Sequence, residues 1–360
     1  MKRPMIALTC AALLLGSPLL GVYLDGKPLG DYAEFPPLTR NVEHAPFSWP
    51  VFIGMAVAIL AVVLPFDLRS MKRRGPARTS NRHPLPWWGW LGIFLSCVTW
   101  FLAWNRFAWF APVQVFTFSP LWLGYILAVN AWCRARAGRC MLTHDTGYFL
   151  ALFPVSAAFW WFFEYLNRFV QNWYYEGCSH LTPLQYFLFA TLPFSTVLPA
   201  VLGTYQLLKS FPNAGAGLDD FLRVRIPYRK PLSWTMLAVS CFGLLGIGIW
   251  PDYLFPLLWL SPLFIITSIQ GINGRATVFA GIESGHWRKL YLLAMAALVC
   301  GFFWEFWNYG SYAKWIYSVP FVGRFKIFEM PVLGFAGYLP FGLECAVLAD
   351  LALGRSEGSV

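Results

Sequence analysis

Charged side chains are scarce in this sequence. Asp, Glu, Lys and Arg make up 12% of its 360 residues, about half of the ~25% found in soluble domains. Hydrophobic residues make up 58%, and the mean hydropathy is +0.54. A soluble fold could not hide so much apolar surface, and a disordered chain would be far more polar. The composition therefore excludes both classes and indicates a membrane protein.

The chain also lacks the common signatures of bound metals and cofactors. Its eight cysteines are dispersed without a Cys-x-x-Cys pair, and its five histidines form neither His-x-x-x-His nor His-Glu-x-x-His. No Gly-x-Gly-x-x-Gly, Walker or Gly-x-Ser-x-Gly motif occurs. We therefore expect no metal site and no cofactor. The net charge of +10 comes from basic residues in short loops, which favours membrane topology over nucleic-acid binding.

Apolar runs of about 20 residues predict an all-α, polytopic membrane protein with about ten transmembrane helices. The first run follows Lys2 and Arg3 and lacks a typical cleavage site, so we interpret it as a retained helix. A signal peptide is the alternative. The predicted spans are 5–23, 49–66, 86–104, 116–133, 147–164, 185–208, 232–250, 253–272, 290–307 and 328–350.

The distribution of basic residues predicts the orientation of these spans. With ten spans and a cytoplasmic N-terminus, 20 of the 27 Lys and Arg residues lie in cytoplasmic segments and 7 lie outside. That bias follows the positive-inside rule. The outside set is Lys27, Arg40, Arg106, Arg168, Lys314, Arg324 and Lys326. We expect a multi-pass protein of the inner (cytoplasmic) membrane, with both termini in the cytoplasm and the lipid bilayer as its main partner.

The chain divides into an N-terminal part and two similar units. Residues 1–85 hold two helices, an outer loop at 24–48 and a basic inner linker at 67–85. Residues 86–208 and 232–353 share landmarks at an offset of about 141 residues, which indicates two parallel four-helix repeats. Such repeats place a shared cavity at their interface. The paired landmarks are Glu164 with Glu305, Asn167 with Asn308, Tyr175 with Tyr317, Ser119 with Ser261, Pro199 with Pro340 and Pro193 with Pro331.

Two of these pairs carry the main functional hypothesis. In each unit an acid and an amide three residues apart share one helix face near the end of a span, and an aromatic segment follows. Carboxyl groups in an apolar setting can act as proton donors or bases. The alternative is an interfacial girdle of aromatic side chains. The candidate substrate-binding residues are Asn167, Asn308, Trp173, Tyr175, Trp315 and Tyr317.

Two further acids complete the candidate catalytic set of Glu164, Glu305, Glu344 and Glu329. Glu344 lies deep in the last predicted span, where it must face the bundle, be protonated or find a partner. A structural hydrogen bond between helices is the alternative role. Glu329 belongs to the Phe-Glu-Met-Pro segment that opens the same span, where an acid would also complement the helix dipole.

Segments 159–199 and 302–345 resemble the duplicated membrane domain of bacterial and fungal lycopene cyclases. The shared pattern is a run of aromatics, an acid, a Trp-x-Tyr segment and a Pro-bearing span. Glu164 and Glu305 stand where that family has an acid, although the family's Pro-x-Glu-Glu type motif is absent. The resemblance implies an apolar isoprenoid substrate of the carotenoid type.

Three functions fit these observations. The first is a cofactor-independent membrane enzyme, such as a cyclase or isomerase, that uses carboxyl acid–base chemistry on an apolar lipid or isoprenoid. The second is a transporter or lipid translocator built from a parallel repeat. The third is a membrane assembly protein without chemistry.

Overall fold

The computed structural model describes residues 2–37, 39–73 and 83–354. Helices dominate these residues, as the composition predicts. The α-helices are α1 Arg3–Leu24, α2 Trp49–Lys72, α3 Trp87–Trp104, α4 Phe118–Ala137, α5 Met141–His144, α6 Thr146–Val170, α7 Pro183–Phe194, α8 Val197–Lys209, α9 Arg229–Ile249, α10 Pro251–Leu254, α11 Leu257–Ile272, α12 Arg288–Gly310 and α13 Tyr338–Leu353. Short 3₁₀ helices cover Leu29–Tyr32, Ala111–Thr117, Ala280–Ser284 and Val332–Gly337. The strands are β1 Trp173–Glu176, β2 Lys314–Tyr317, β3 Lys326–Ile327 and β4 Met330–Pro331.

Nine helical segments in these described ranges are long and apolar enough to cross a membrane. A helix suits lipid because it satisfies its own backbone hydrogen bonds. The nine segments coincide with nine of the predicted spans, and the tenth prediction, 253–272, corresponds to the shorter apolar helix α11. The chain is therefore an all-α, multi-pass integral membrane protein.

The last predicted span, 328–350, begins later than expected. Its helical segment starts at Val332, and residues 330–331 pair with Lys326–Ile327 as the antiparallel strands β4 and β3. Glu329 therefore lies in the turn between β3 and β4, before the membrane-crossing segment. The prediction that Phe-Glu-Met-Pro opens the membrane helix is wrong, because backbone pairing between the two short strands holds this segment outside it.

The span at 185–208 is broken into α7 and α8 beside two prolines, which cannot continue a helical hydrogen-bond ladder. Ser156 of α6 repairs the break. Its hydroxyl donates to the carbonyl of Phe194 at 2.6 Å and accepts from the N–H of Leu198 at 3.0 Å. This exchange satisfies two backbone groups that would otherwise be unpaired within the bundle.

Corresponding helices of the two predicted units make similar pairs. The helix α3 packs against α4 as α9 packs against α11, and α8 and α13 pack against α6 and α12, respectively. Small residues allow close approach in the first pair: a Cβ on Gly92 would lie 2.7 Å from the carbonyl oxygen of Gly124. The central contacts join α8 and α13 to both α6 and α12, so these four helices form the middle of the bundle.

The helix α2 stands apart from this bundle. No residue in its membrane-crossing window is buried, whereas α1 packs against α9 and α11. The predicted inner linker at 67–85 begins too early, because α2 continues to Lys72. Its residues 74–82 lie outside the described ranges, as does Arg355. Consequently, α2 is a peripheral wall whose inner face is available to line a cavity.

The segment 24–48 was predicted as an outer loop; Leu24 ends α1, and residues 25–37 and 39–48 run across one end of the bundle. Arg168 of α6 donates to the carbonyls of Tyr32 and Glu34. The imidazole Nδ1 of His44 lies 2.7 Å from Asp252 Oδ1. These contacts fix the segment over the end of the bundle that carries β1 and β2; we refer to it as the ribbon end.

Candidate functional site

The strands β1 and β2 form an antiparallel ribbon that joins the two predicted units. Trp173 pairs with Tyr317 and Tyr175 pairs with Trp315. Because side chains alternate along a strand, these four aromatic residues lie on one face of the ribbon. The two pairs are related by the repeat offset, because Trp315 lies 142 positions after Trp173 and Tyr317 lies 142 positions after Tyr175. Each pair therefore joins a Trp of one strand to the Tyr of the other. The predicted substrate-binding aromatics are thus brought together.

Two asparagines attach this ribbon to the helix ends. Asn167 of α6 donates from Nδ2 to the carbonyl of Trp173 at 2.7 Å and accepts from the N–H of Asn172 at 2.8 Å. Asn308 of α12 donates to the carbonyl of Trp315 at 2.8 Å and accepts from the N–H of the same residue at 2.9 Å. Each amide therefore binds backbone, which gives Asn167 and Asn308 an architectural position under the ribbon.

Glu164 lies one turn before Asn167, and its side chain is held by a ring of donors. Its Oε1 accepts from Trp160 Nε1 at 3.0 Å, from Trp173 Nε1 at 3.1 Å and from the Tyr175 hydroxyl at 2.6 Å. Two of these donors come from the ribbon. We call Glu164, Trp160, Trp173 and Tyr175 the indole cluster, since indole groups supply most of its hydrogen bonds.

Glu305 occupies the corresponding place on α12. Its Oε1 accepts from the hydroxyls of Tyr317 at 2.9 Å and Tyr338 at 2.7 Å. Trp315 reaches the carboxyl indirectly, because its Nε1 donates to the Tyr317 hydroxyl at 3.0 Å. We call Glu305, Tyr317, Tyr338 and Trp315 the hydroxyl cluster.

A single glycine explains why the two clusters differ. Position 301 of α12 lies four residues before Glu305, as Trp160 lies four before Glu164. A Cβ on Gly301 would lie 2.4 Å from the ring of Tyr338. The absence of a side chain at 301 therefore makes room for Tyr338 of α13, which supplies the donor that Trp160 supplies in the indole cluster.

Both carboxyl groups are hidden from lipid and solvent. Glu164 is 1% exposed and Glu305 is 0% exposed. The second oxygen of each, Oε2, is buried and has no hydrogen-bond partner among the described residues. Buried polar atoms are nearly always paired, so two unpaired carboxyl oxygens beside one ribbon mark this region as a functional candidate.

The clusters face a groove of about 660 Å³, within the range of small-molecule sites. Neither glutamate lines it. Their donors do, so each carboxyl lies one side chain behind the wall. Trp304 lies between the clusters, with its ring centroid 6.4 Å from that of Trp160 and 5.8 Å from that of Tyr338. The donors at the wall are Trp160, Trp173, Tyr175, Trp315, Tyr317 and Tyr338.

Burial changes the acidity of the ribbon tyrosines. The pKa of the Tyr175 phenol is raised well above its usual range, first by burial and then by the neighbouring Glu164 carboxyl. Burial and then Glu305 raise the pKa of Tyr317 in the same way. Both phenols therefore keep their protons at neutral pH and can serve as donors to a buried carboxyl.

Glu344 is buried but lies apart from both clusters. Its Oε1 accepts from the backbone N–H of Leu263 at 3.2 Å, next to Pro262 of α11. It does not line the groove. This contact joins α13 to α11 beside a proline, and Oε2 of Glu344 is buried without a hydrogen-bond partner among the described residues.

Glu329 is likewise separate from the buried carboxyls. Its Oε1 lies 2.8 Å from the Lys314 ammonium, and the side chains are 15% and 23% exposed. Lys314 precedes Trp315 and lines the ribbon end of the groove. The pair therefore neutralises a charge at the groove mouth.

Sequence reasoning missed three residues of the site: Trp160, Tyr338 and Gly301. Trp160 could have been found, since it lies one helical turn from Glu164. Tyr338 comes from a distant helix, and nothing in the sequence pairs it with Glu305. In the described part of the chain, no group of three or more His, Cys, Asp or Glu residues is placed to hold a metal ion.

Comparison with protein-family models, with characterised proteins and with solved structures finds no match to this chain.

Proposed function

We propose that this protein is a membrane-embedded enzyme that performs acid–base chemistry on an apolar lipid or isoprenoid bound in the groove. One observation carries the proposal: two buried carboxyls lie behind the tyrosine and tryptophan side chains that line one apolar groove. Apolar walls suit an apolar chain, and the few polar groups converge at the ribbon end. The weak resemblance to lycopene cyclases supports the isoprenoid class.

The arrangement supports proton transfer through tyrosine. A hydroxyl at the wall gives its proton to a carbon of a double bond, and the π electrons form the new C–H bond. The protonated glutamate behind it returns a proton to the phenol oxygen. A neighbouring carbon then loses a proton to the phenol oxygen, the phenol's own proton passes to the carboxylate behind it, and the electrons of the broken C–H bond form a new double bond. The net reaction is an isomerisation or ring closure, with no redox change.

Aromatic rings around the groove would stabilise the positive charge of the intermediate. The face of an indole or phenol attracts a cation within about 6 Å of its centroid. Trp304 lies between the two clusters, in ring contact with Trp160 and Tyr338. Exclusion of water from this apolar groove strengthens such interactions and protects a reactive cation.

We further propose that residues 86–208 and 232–353 are copies of one four-helix unit related by an axis along the membrane normal. Three observations support this proposal: the matching contacts of Asn167 and Asn308 with the backbone, the symmetric Trp–Tyr pairing of β1 with β2, and the similar helix pairs. The excess of basic residues in the predicted inner segments supports cytoplasmic termini in the inner membrane.

The function is tested by comparing apolar lipid extracts of cells that produce the wild-type chain, Glu305→Gln or no protein. We expect a product that depends on the wild-type chain and falls about 10²–10⁴-fold in the variant, the usual contribution of acid–base catalysis. Glu176→Gln is the matched control, since Glu176 is an exposed acid on the same ribbon. Unchanged product with Glu305→Gln at normal protein levels would contradict the proposed function.

A further inference from the structure

The groove runs between α2 and the bundle, and two matching helical stripes form its walls. On α2 the lining residues recur at one-turn spacing, as do those at the start of α12. The α2 stripe is Met55, Ala58, Ile59, Val62, Val63 and Phe66. The α12 stripe is Leu290, Tyr291, Ala294 and Met295, together with Trp287 directly before the helix.

Contacts hold α2 at both ends and leave its middle free. At the ribbon end, the ring of Phe52 lies 5.4 Å from that of Phe325. At the opposite end, the ring of Phe66 lies 5.1 Å from that of Trp287, and Tyr291 donates to Asp67 Oδ1 at 2.9 Å. Val62, between these attachments, is 65% exposed. The groove is therefore open to the bilayer beside the middle of α2.

The length of the groove limits its occupant. It runs along α12 from Trp287 to Trp304 and continues to the ribbon. Seventeen residues of α-helix span about 25 Å, whereas one leaflet of a hydrocarbon core about 30 Å thick measures about 15 Å. A chain that fills the groove is therefore longer than one leaflet.

The chemistry of the walls also excludes other occupants. A partner helix would have to displace α2, which is attached at both ends. Water gains few hydrogen bonds along apolar walls, and an empty cavity costs free energy in proportion to its volume. A flexible lipid chain meets neither obstacle. At the ribbon end the groove is lined by Asn172, whose buried Oδ1 has no hydrogen-bond partner among the described residues and suits the polar terminus of such a chain.

We propose that the groove holds one linear lipid chain longer than a single leaflet, which enters sideways from the bilayer past the middle of α2 and places its polar terminus under the β1–β2 ribbon. This inference rests on the proposed function for its ligand class, and it adds the chain length, the route and the direction of binding.

Photolabelling of the full-length protein tests the proposal. The protein is reconstituted in phosphatidylcholine vesicles, and a linear alcohol long enough to cross both leaflets is then supplied from a second vesicle population. This probe carries diazirine groups near both ends. We expect labelled peptides at both ends of the groove, around Trp287 and around Trp315. A diazirine-labelled palmitic acid, which spans one leaflet, should label one end at most.

Two variants on α2 form a matched pair. Val62→Trp fills the groove and should reduce labelling at least about tenfold, as an overpacked site does. Val57→Trp places the same ring on the opposite face, where Val57 is 61% exposed, and should label as wild type. Ala294→Trp fills the groove from α12 and should reduce labelling as Val62→Trp does. Because Ala294 lies outside α2, the same result from both variants cannot come from misfolding of α2 alone.

Equal labelling of Val62→Trp and Val57→Trp, or equal labelling of both ends by palmitic acid, would overturn the inference. Labelling does not depend on turnover, so the outcomes separate. Correct labelling together with an unchanged lipid profile in Glu305→Gln would leave the chain site intact and contradict only the proposed chemistry.

Discussion

The indole cluster and the hydroxyl cluster hold equivalent glutamates with different donors. Glu164 accepts two indole N–H groups and one hydroxyl, whereas Glu305 accepts two hydroxyls. An indole N–H only donates, while a phenol hydroxyl both donates and accepts. The first arrangement therefore fixes a carboxyl in place. The second provides hydroxyls that can pass a proton on.

One small residue, Gly301, accounts for the different donors in two otherwise similar clusters. The ribbon, the asparagine contacts and the glutamate positions are alike in both halves. Gly301 stands where the other half has Trp160, and the freed space is filled by Tyr338. Within the proposed function, we expect the hydroxyl cluster to carry the chemistry and the indole cluster to position the ribbon.

The largest expected effect comes from deleting each carboxyl. Glu164→Ala leaves three donors without an acceptor, of which the Trp173 indole is buried, and at about 1 kcal/mol or more each this predicts a loss of at least about 3 kcal/mol in the free energy of unfolding. Glu305→Ala should cost less, about 2 kcal/mol, because the freed hydroxyls can rotate towards each other. Unfolding by SDS in mild detergent measures both values.

Glu176→Ala serves as the control for this pair, since an exposed acid should change stability by less than about 0.5 kcal/mol. Equal losses for Glu164→Ala and Glu305→Ala would show that the indole donors hold the first carboxyl no more firmly than hydroxyls hold the second.

Adding a side chain at position 301 tests whether Tyr338 needs the space beside Gly301 in order to reach Glu305. Gly301→Ala places a Cβ against the ring of Tyr338 and should lower stability by about 1–3 kcal/mol, the cost of overpacking. Gly54→Ala, in the second turn of α2 with no atom within 4 Å of its new Cβ, should leave the melting temperature unchanged or raise it. A melting temperature for Gly301→Ala equal to that of Gly54→Ala would mean that Tyr338 does not need this space.

The sequence predicted the membrane spans well because apolar length is a local property. It also predicted that Glu164, Glu305 and the Trp-x-Tyr segments belong together, since the offset of about 141 residues aligns them. Their convergence needed the ribbon register, which depends on how distant helices pack. The contact between Glu344 and Leu263 was equally invisible, because it depends on a backbone N–H that the sequence does not single out.

Glu329 shows why span boundaries were less certain than span identities. A long apolar run begins directly after it and Ile327 and Phe328 precede it, so composition alone places it at the start of the span. The pairing of β3 with β4 and the ion pair with Lys314 keep it outside. The first is a hairpin of two residues per strand and the second joins residues 15 positions apart, and neither leaves a periodic signal in the sequence.

The smallest expected effect concerns the feature in which the two clusters agree. Tyr175 and Tyr317 both have pKa values raised well above the ordinary value by burial. Below about pH 10 the folded and unfolded chains both keep these protons, so stability does not depend on them. Above it, only the unfolded chain loses them, and the free energy of unfolding should fall by about 1.4 kcal/mol per pH unit for each tyrosine. Between about pH 9 and about pH 11, the free energy of unfolding should therefore decline less steeply in Tyr175→Phe and in Tyr317→Phe than in the wild type, by similar amounts.

Tyr253→Phe is the control. Its side chain is 72% exposed, so the substitution removes a hydroxyl that both states expose and should keep the wild-type slope. A change of slope in only one of the two ribbon variants would show that the clusters differ in how they bury their phenols as well as in which donors they use.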